Sequence, residues 1–269
     1  MDLLELISYP FMQRALLAGI MLAALLAALG IFVTVRKMAF FGDGIAHSTL
    51  AGLAIAILAG LSPLPVALVW ATGVALLIWW LERKTRLSSD TLIGILFTAS
   101  MALGVVLMSF SHGYQPELVT FLFGSILAIR TVDLIYILVV GAAILIWLTL
   151  SFRQLTYMSL SHDQAAVSGV PVTRQTILLY AALAMATVLG VKILGIILVS
   201  ALMVIPPATS RLLTKTFRGH IVWSILLAEI IVAIGLAVSF AFDLPSGATI
   251  ILVGTALFFL TAILKPLRK

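Results

Sequence analysis

The sequence predicts an all-α integral membrane protein, a polytopic bundle of about nine transmembrane helices, with eight as the alternative count. Three observations predict it. Of 269 residues, 63% are hydrophobic and only 10% are charged, where a soluble domain carries roughly a quarter charged residues. Mean hydropathy is +1.25, too little polar surface to coat a globule. Apolar runs recur along the whole chain at the length of about 20 residues that a membrane-crossing helix requires.

The segments in order are 14–35, 43–61, 64–81, 90–110, 132–152, 174–190, 192–210, 220–241 and 247–264. The count falls to eight if the chain around Gly190–Gly195 breaks differently. The stretch 117–129, ELVTFLFGSILAI, is apolar but too short to cross. It reads as a re-entrant or interfacial helix, which needs protein or a cavity around its backbone. The N-terminus opens with Asp2 and Glu5, unlike the basic start of a secretory signal, so the first apolar segment is expected to stay. Nothing suggests a soluble appendage, and residues 1–269 read as one membrane domain.

Basic residues set the expected orientation. Thirteen of the 16 fall at Arg36-Lys37, Arg83-Lys84-Arg86, Arg153, Arg174, Arg211/Lys215/Arg218 and Lys265/Arg268/Lys269. All share one side if the N-terminus lies outside and the C-terminus in the cytoplasm. The net charge of +6 is therefore a helix-end signal and not a nucleic-acid one. The outer loops are then short. The longest inner loop, 153–173, contains SLSHDQAAVSG, a short capped helix with Ser161 or Asp163 as N-cap and Gly169 just past its end.

Several chemistries are absent. There is no cysteine, hence no disulfide or thiolate site. No GxxxxGK[ST] phosphate loop, HExxH or GxSxG occurs, the signatures of nucleotide binding, zinc peptidases and hydrolases.

In MAFFGDGIAHSTLAG (38–52), Asp43 and His47 stand four residues apart. That spacing puts both on one helix face, and carboxylate with imidazole suits zinc and other first-row divalent cations. Two plainer readings stand beside it: Asp43 as a helix cap, and His47 as a packed residue bonded to a carbonyl. A helix N-terminus also repels cations, so Asp43 would have to cancel that field, which fits a weak, transient site. Glu229 lies in mid-segment, where an isolated carboxylate is costly in lipid. It is protonated, interior-facing or at a subunit contact. Asp90 reads as a cap, Asp133 as a partner for Arg130, and His162 and His220 as solvated. An intramembrane metalloenzyme and a gradient-driven secondary metal transporter are the competing classes.

Six blocks carry a resemblance along the chain: RKMAFFGDGIAHSTLAG (36–52), SSDTLIGILFTASMALGVV (88–106), LFGSIL (122–127), SLSHDQAAVSGV (159–170), VKILGIILVSALMVIPPATSRL (191–212) and FDLPSGATIIL (242–252). With them the chain resembles the permease subunit of the zinc/manganese ABC transporters, the ABC-3 metal importers. The resemblance implies a type II ABC importer permease fold, no catalysis by this subunit, and Zn²⁺ or Mn²⁺ as transported ion with no permanent cofactor. It also implies cytoplasmic ABC ATPase subunits, an extracytoplasmic metal-binding protein and a second copy of the chain as partners, in a bacterial-type plasma membrane. Asp43 and His47 match the family's GDxxAH positions on the metal route. Ser161, Asp163, Ala165, Ala166 and Gly169 fall in the segment that couples to the ATPase. Glu229 matches no such position. The zinc branch is favoured by the look of FFGDGIAHSTLAG.

Overall fold

The computed structural model describes residues 10–111 and 131–265, and within them every regular element is a helix. In chain order these are α1 (Pro10–Val35), α2 (Phe41–Leu58), α3 (Pro63–Thr85), α4 (Ser89–Met108), α5 (Thr131–Leu150), α6 (Phe152–Leu160), α7 (His162–Val167), α8 (Val172–Leu194), α9 (Ile196–Leu213), α10 (Phe217–Phe242) and α11 (Ser246–Leu264). Nine of these, all but α6 and α7, are long and apolar enough to cross a membrane. The segment 117–129, expected as a re-entrant helix, lies outside the described residues.

Local chemistry sets the breaks. Pro63 opens α3 after an extended Ser62, a position where its missing N–H costs nothing. Ser88 caps α4, its side chain accepting the Thr91 N–H at 3.3 Å. Asp90, read from sequence as the cap, instead sits in the first turn. Gly195, at φ +81, separates α8 from α9, so α8 runs past the expected end at 190. Loop 153–173 holds two helices rather than one. FRQLTYMSL forms α6, whose Leu155 and Met158 are buried.

α1, α2 and α8 are the most enclosed spans, and α1 and α8 form the centre of the bundle. α3 and α4 join α2 on one side of them; α9, α10 and α11 pack on the other. α5 leans on α1 and α8. α4, α5 and α11 turn most of their apolar surface outward, as spans facing lipid or another subunit do. In the small-residue stretches 19–30 and 181–190, Gly30 packs on the Met203 backbone of α9 and Gly190 on Val199. Ala182, Ala184 and Ala186 are all 3% exposed or less.

Polar groups tie the spans together. Lys192 of α8 pairs with Asp133 of α5; Arg130, the partner expected for Asp133, lies outside the described residues. Ser224 of α10 donates to the Ala27 carbonyl of α1 at 3.0 Å. His220, expected to be solvated, is buried, with Nδ1 2.6 Å from Ser210 Oγ.

Candidate functional site

Asp43 is the third residue of α2, and the N-cap position belongs to Phe40, which makes no side-chain cap. Capping therefore does not explain Asp43. Its carboxylate faces α9 instead, and Ser200 Oγ donates to Asp43 Oδ1 at 2.5 Å. Three features allow that approach. Gly42 presents no side chain; a Cβ there would stand 3.3 Å from Met203 Sδ and 3.4 Å from Ser200 Oγ. Gly44 lies against Ile93 of α4, where a Cβ would come within 2.3 Å of a methyl carbon. Phe41 is fully buried, edge-on to Tyr180 of α8 with ring centroids 5.6 Å apart.

His47 follows one turn later. Both Asp43 and His47 are half-buried, while Gly44, Ile45, Ala46, Ser48 and Thr49 between and beside them are buried. The His47 ring meets Phe97 of α4 edge-on at 5.3 Å. Neither ring nitrogen has a hydrogen-bond partner among the described residues, so the expected bond to a carbonyl is not made. Ser48 and Thr49 spend their hydroxyls on the carbonyls of Ile45 and Ala46.

The pair lies deep in the bundle. Met203 Sδ, beside Gly42, is 3.7 Å from Thr187 Oγ1 of α8. Thr187 is the sixteenth residue of that helix, about 22 Å from its start along a length of about 34 Å. A carboxylate at this depth also offsets the partial positive charge of the α2 N-terminus. Among the described residues, no group of three or more His, Cys, Asp or Glu could hold a metal ion. Asp43 and His47 thus offer a divalent cation two ligands, a carboxylate oxygen and an imidazole nitrogen.

Glu229 stands apart from this pair, on α10. Its residue is half-buried, and Oε1 is enclosed without a hydrogen-bond partner among the described residues.

A second polar cluster escaped the sequence reading. Glu82, near the end of α3, accepts from Tyr180 Oη at 2.7 Å and from Ser89 Oγ at 2.8 Å. Tyr180 Oη also lies 3.2 Å from Met38 Sδ, in the turn that leads into α2. Nearby, Arg36 donates to Thr176 Oγ1 of α8 at 3.3 Å. In the sequence Glu82 looks like one charge in the basic run LERKTR, and only its distance from a tyrosine 98 residues away reveals its role.

The loop 153–173 folds as two short helices beside a groove. Ser161 caps α7, accepting the Gln164 N–H at 3.3 Å. That settles the choice between Ser161 and Asp163, and Asp163 occupies the first turn. Gly169, at φ +77, ends the turn. Ala165 is buried and Ala166 exposed. Ala166 also lines an open groove of about 590 Å³ with Val170, Pro171, Thr173 and Ile177.

Among the described residues, nine apolar spans define a helical membrane protein, with a half-buried carboxylate–imidazole pair on α2 facing α4 and α9. Residues 8–265 match the ABC 3 transport family. The chain belongs to that family. It is 34% identical over 262 residues to the manganese transport system membrane protein MntC of Halalkalibacterium halodurans, covering 97% of this chain and 90% of the relative. It is 33% identical over 253 residues to the high-affinity zinc uptake system membrane protein ZnuB of Haemophilus influenzae, covering 94% and 97%. Among solved structures it resembles PsaBC from Streptococcus pneumoniae, determined in complex with Fab. There the TM-score is 0.84 and the identity 30%, over 97% of this chain and 94% of that one.

Proposed function

We propose that the chain is the non-catalytic permease subunit of an ATP-driven importer of divalent metal ions, and that Asp43 and His47 form a stepping point on the ion's route. The observation that carries this reading is the pair itself: two metal-ligating groups on one helix turn, half-buried deep in a bundle of apolar spans. Two protein ligands next to a positive helix end bind a cation weakly, which suits a site that must release its ion. Relatives of nearly equal identity are named for manganese and for zinc, so either is a candidate cargo. Imidazole with carboxylate favours zinc over manganese, which accepts more oxygen.

Energy then comes from separate cytoplasmic ABC ATPase subunits, since the chain has no phosphate loop of its own. The segment Ser161–Gly169 is the coupling surface for them, and an extracytoplasmic metal-binding protein delivers the ion. Two copies of the chain, related by a twofold axis, enclose the path in the plasma membrane, N-terminus outside and C-terminus cytoplasmic.

Uptake of radiolabelled zinc and manganese at limiting concentration, in cells lacking their own importers, tests the site. Asp43→Ala and His47→Ala each lose uptake while membrane content is unchanged. Asp43→Asn, which keeps a side-chain acceptor for Ser200 but no charge, loses it too. Uptake at the unmodified rate in all three removes the pair from the path.

A further inference from the structure

Two protein ligands are fewer than the three or more that zinc keeps in protein sites. The next oxygen at the pair is Ser200 Oγ, 2.5 Å from Asp43 Oδ1. Ser200 belongs to α9, so this hydroxyl joins two spans at the point where the cation would sit. Ser200 is half-buried, as Asp43 and His47 are.

The same hydroxyl has a second acceptor. The Ile196 carbonyl, one turn back in α9, lies 3.3 Å from Ser200 Oγ. A serine hydroxyl carries one proton and two lone pairs. With its proton on Asp43, the hydroxyl satisfies the carboxylate. With the proton turned to Ile196, a bond serine makes routinely inside helices, a lone pair faces the carboxylate side and Asp43 is left for a cation.

We propose that Ser200 is the third donor of the cation site. A divalent ion reaching Asp43 and His47 turns the Ser200 proton to the Ile196 carbonyl, and Ser200 Oγ becomes a neutral oxygen ligand. This rests on the reading of Asp43 and His47 as part of the ion's route. No proton leaves the hydroxyl, so no acid or base is required. The displacement is small. At the tetrahedral angle, two oxygens each about 2.0–2.2 Å from one zinc ion lie roughly 3.4 Å apart, about an ångström more than the present 2.5 Å. Gly42 leaves room for it, having no side chain toward Ser200. The ion thereby bridges α2 to α9. The α9 helix contains Pro206 and Pro207 and follows the Gly195 break. Binding is thus felt by a helix whose backbone is already interrupted.

The test uses the full chain, expressed with its partner subunits in cells lacking other zinc and manganese importers. Ser200→Ala raises the zinc concentration for half-maximal uptake about tenfold at unchanged membrane content, and Ser200→Thr, which keeps a hydroxyl, restores it. Because the chain has no cysteine, Ser200→Cys introduces a single thiol. Zn²⁺ or Cd²⁺ slows its alkylation in membranes, and no longer does so when Asp43→Ala and His47→Ala are added. Unaltered half-saturation in Ser200→Ala overturns the proposal, as does a thiol alkylated at one rate with and without metal. If Asp43→Ala and His47→Ala abolish uptake in the same assay, that failure belongs to Ser200 alone. If those two variants transport normally, the path reading falls first and the Ser200 proposal with it.

Discussion

Gly30 of α1 rests on the main-chain carbonyl of Met203 in α9: a Cβ at Gly30 would stand 2.1 Å from that oxygen and 2.8 Å from its carbon. The carbonyl is available because Pro207, four residues on in the same helix, has no N–H to donate to it. One helix gives up a hydrogen bond and its neighbour gives up a side chain, and the two backbones meet where they do so. This crossing fixes α9, and with it Ser200, against α1.

Gly30→Ala therefore has no space, and the obstacle is backbone rather than the end of a flexible side chain. Overpacking a core costs about 1–3 kcal/mol, and a contact this short belongs at or above the top of that range. Gly19, in the same helix, has nothing within 4 Å of its Cβ position, and Gly19→Ala should be neutral. Thermal stability of the two purified variants in mild detergent checks the contrast. Equal melting temperatures would place the α1–α9 crossing elsewhere.

The Glu82–Tyr180 bond gives a second prediction. Tyr180 is 0% exposed, so Tyr180→Phe removes one donor from Glu82 and leaves the Ser89 bond and the ring contact with Phe41. Losing a hydrogen bond to a charged group costs about 1.5–3 kcal/mol. The variant should melt several degrees lower, and the Glu82→Gln change should matter less in the Tyr180→Phe background than alone. A double-mutant cycle measures that coupling, and additive effects would show that the two groups do not depend on each other.

Which features the sequence revealed follows from the range of the forces behind them. Burial of apolar surface acts on every run of about 20 residues, so all nine spans were legible, most to within a few residues at each end. Asp43 and His47 were legible because both lie on one turn of one helix. Partners from other helices were not. Ser200 is 157 residues from Asp43, and nothing near it in VSALMVIPP marks it. Asp133 was assigned to Arg130 by proximity, and its pairing with Lys192, 59 residues on, had no local signal. His220 was assigned to solvent from its place at the expected inner face, but the Ser210 hydroxyl of the preceding span gives it a buried partner. The capping role read for Asp43 failed for a similar reason. A first-turn carboxylate can cap locally or reach across, and α9 brings an oxygen close enough to decide it.

The short helix α7 separates two neighbouring alanines. Ala165 is 1% exposed, and its side chain packs into the subunit; Ala166 is exposed and lines the groove that runs to Ile177 of α8. Both were candidates for a surface that couples to an ATPase, and their geometry now predicts different failures. Ala165→Trp has no room and should unseat α7 itself, seen as faster proteolysis within 153–173 in the chain alone. Ala166→Trp leaves the fold intact and fills the groove from outside. It should lower ATPase assembly with the chain or break the link between hydrolysis and uptake, with unchanged proteolysis of the isolated chain. Copurification of the ATPase and metal-stimulated hydrolysis in reconstituted vesicles provide the readout. If Ala166→Trp assembles and couples as the unmodified chain does, the groove beside α7 is not where the ATPase acts, and the docking surface must be sought on the other exposed residues of the inner face.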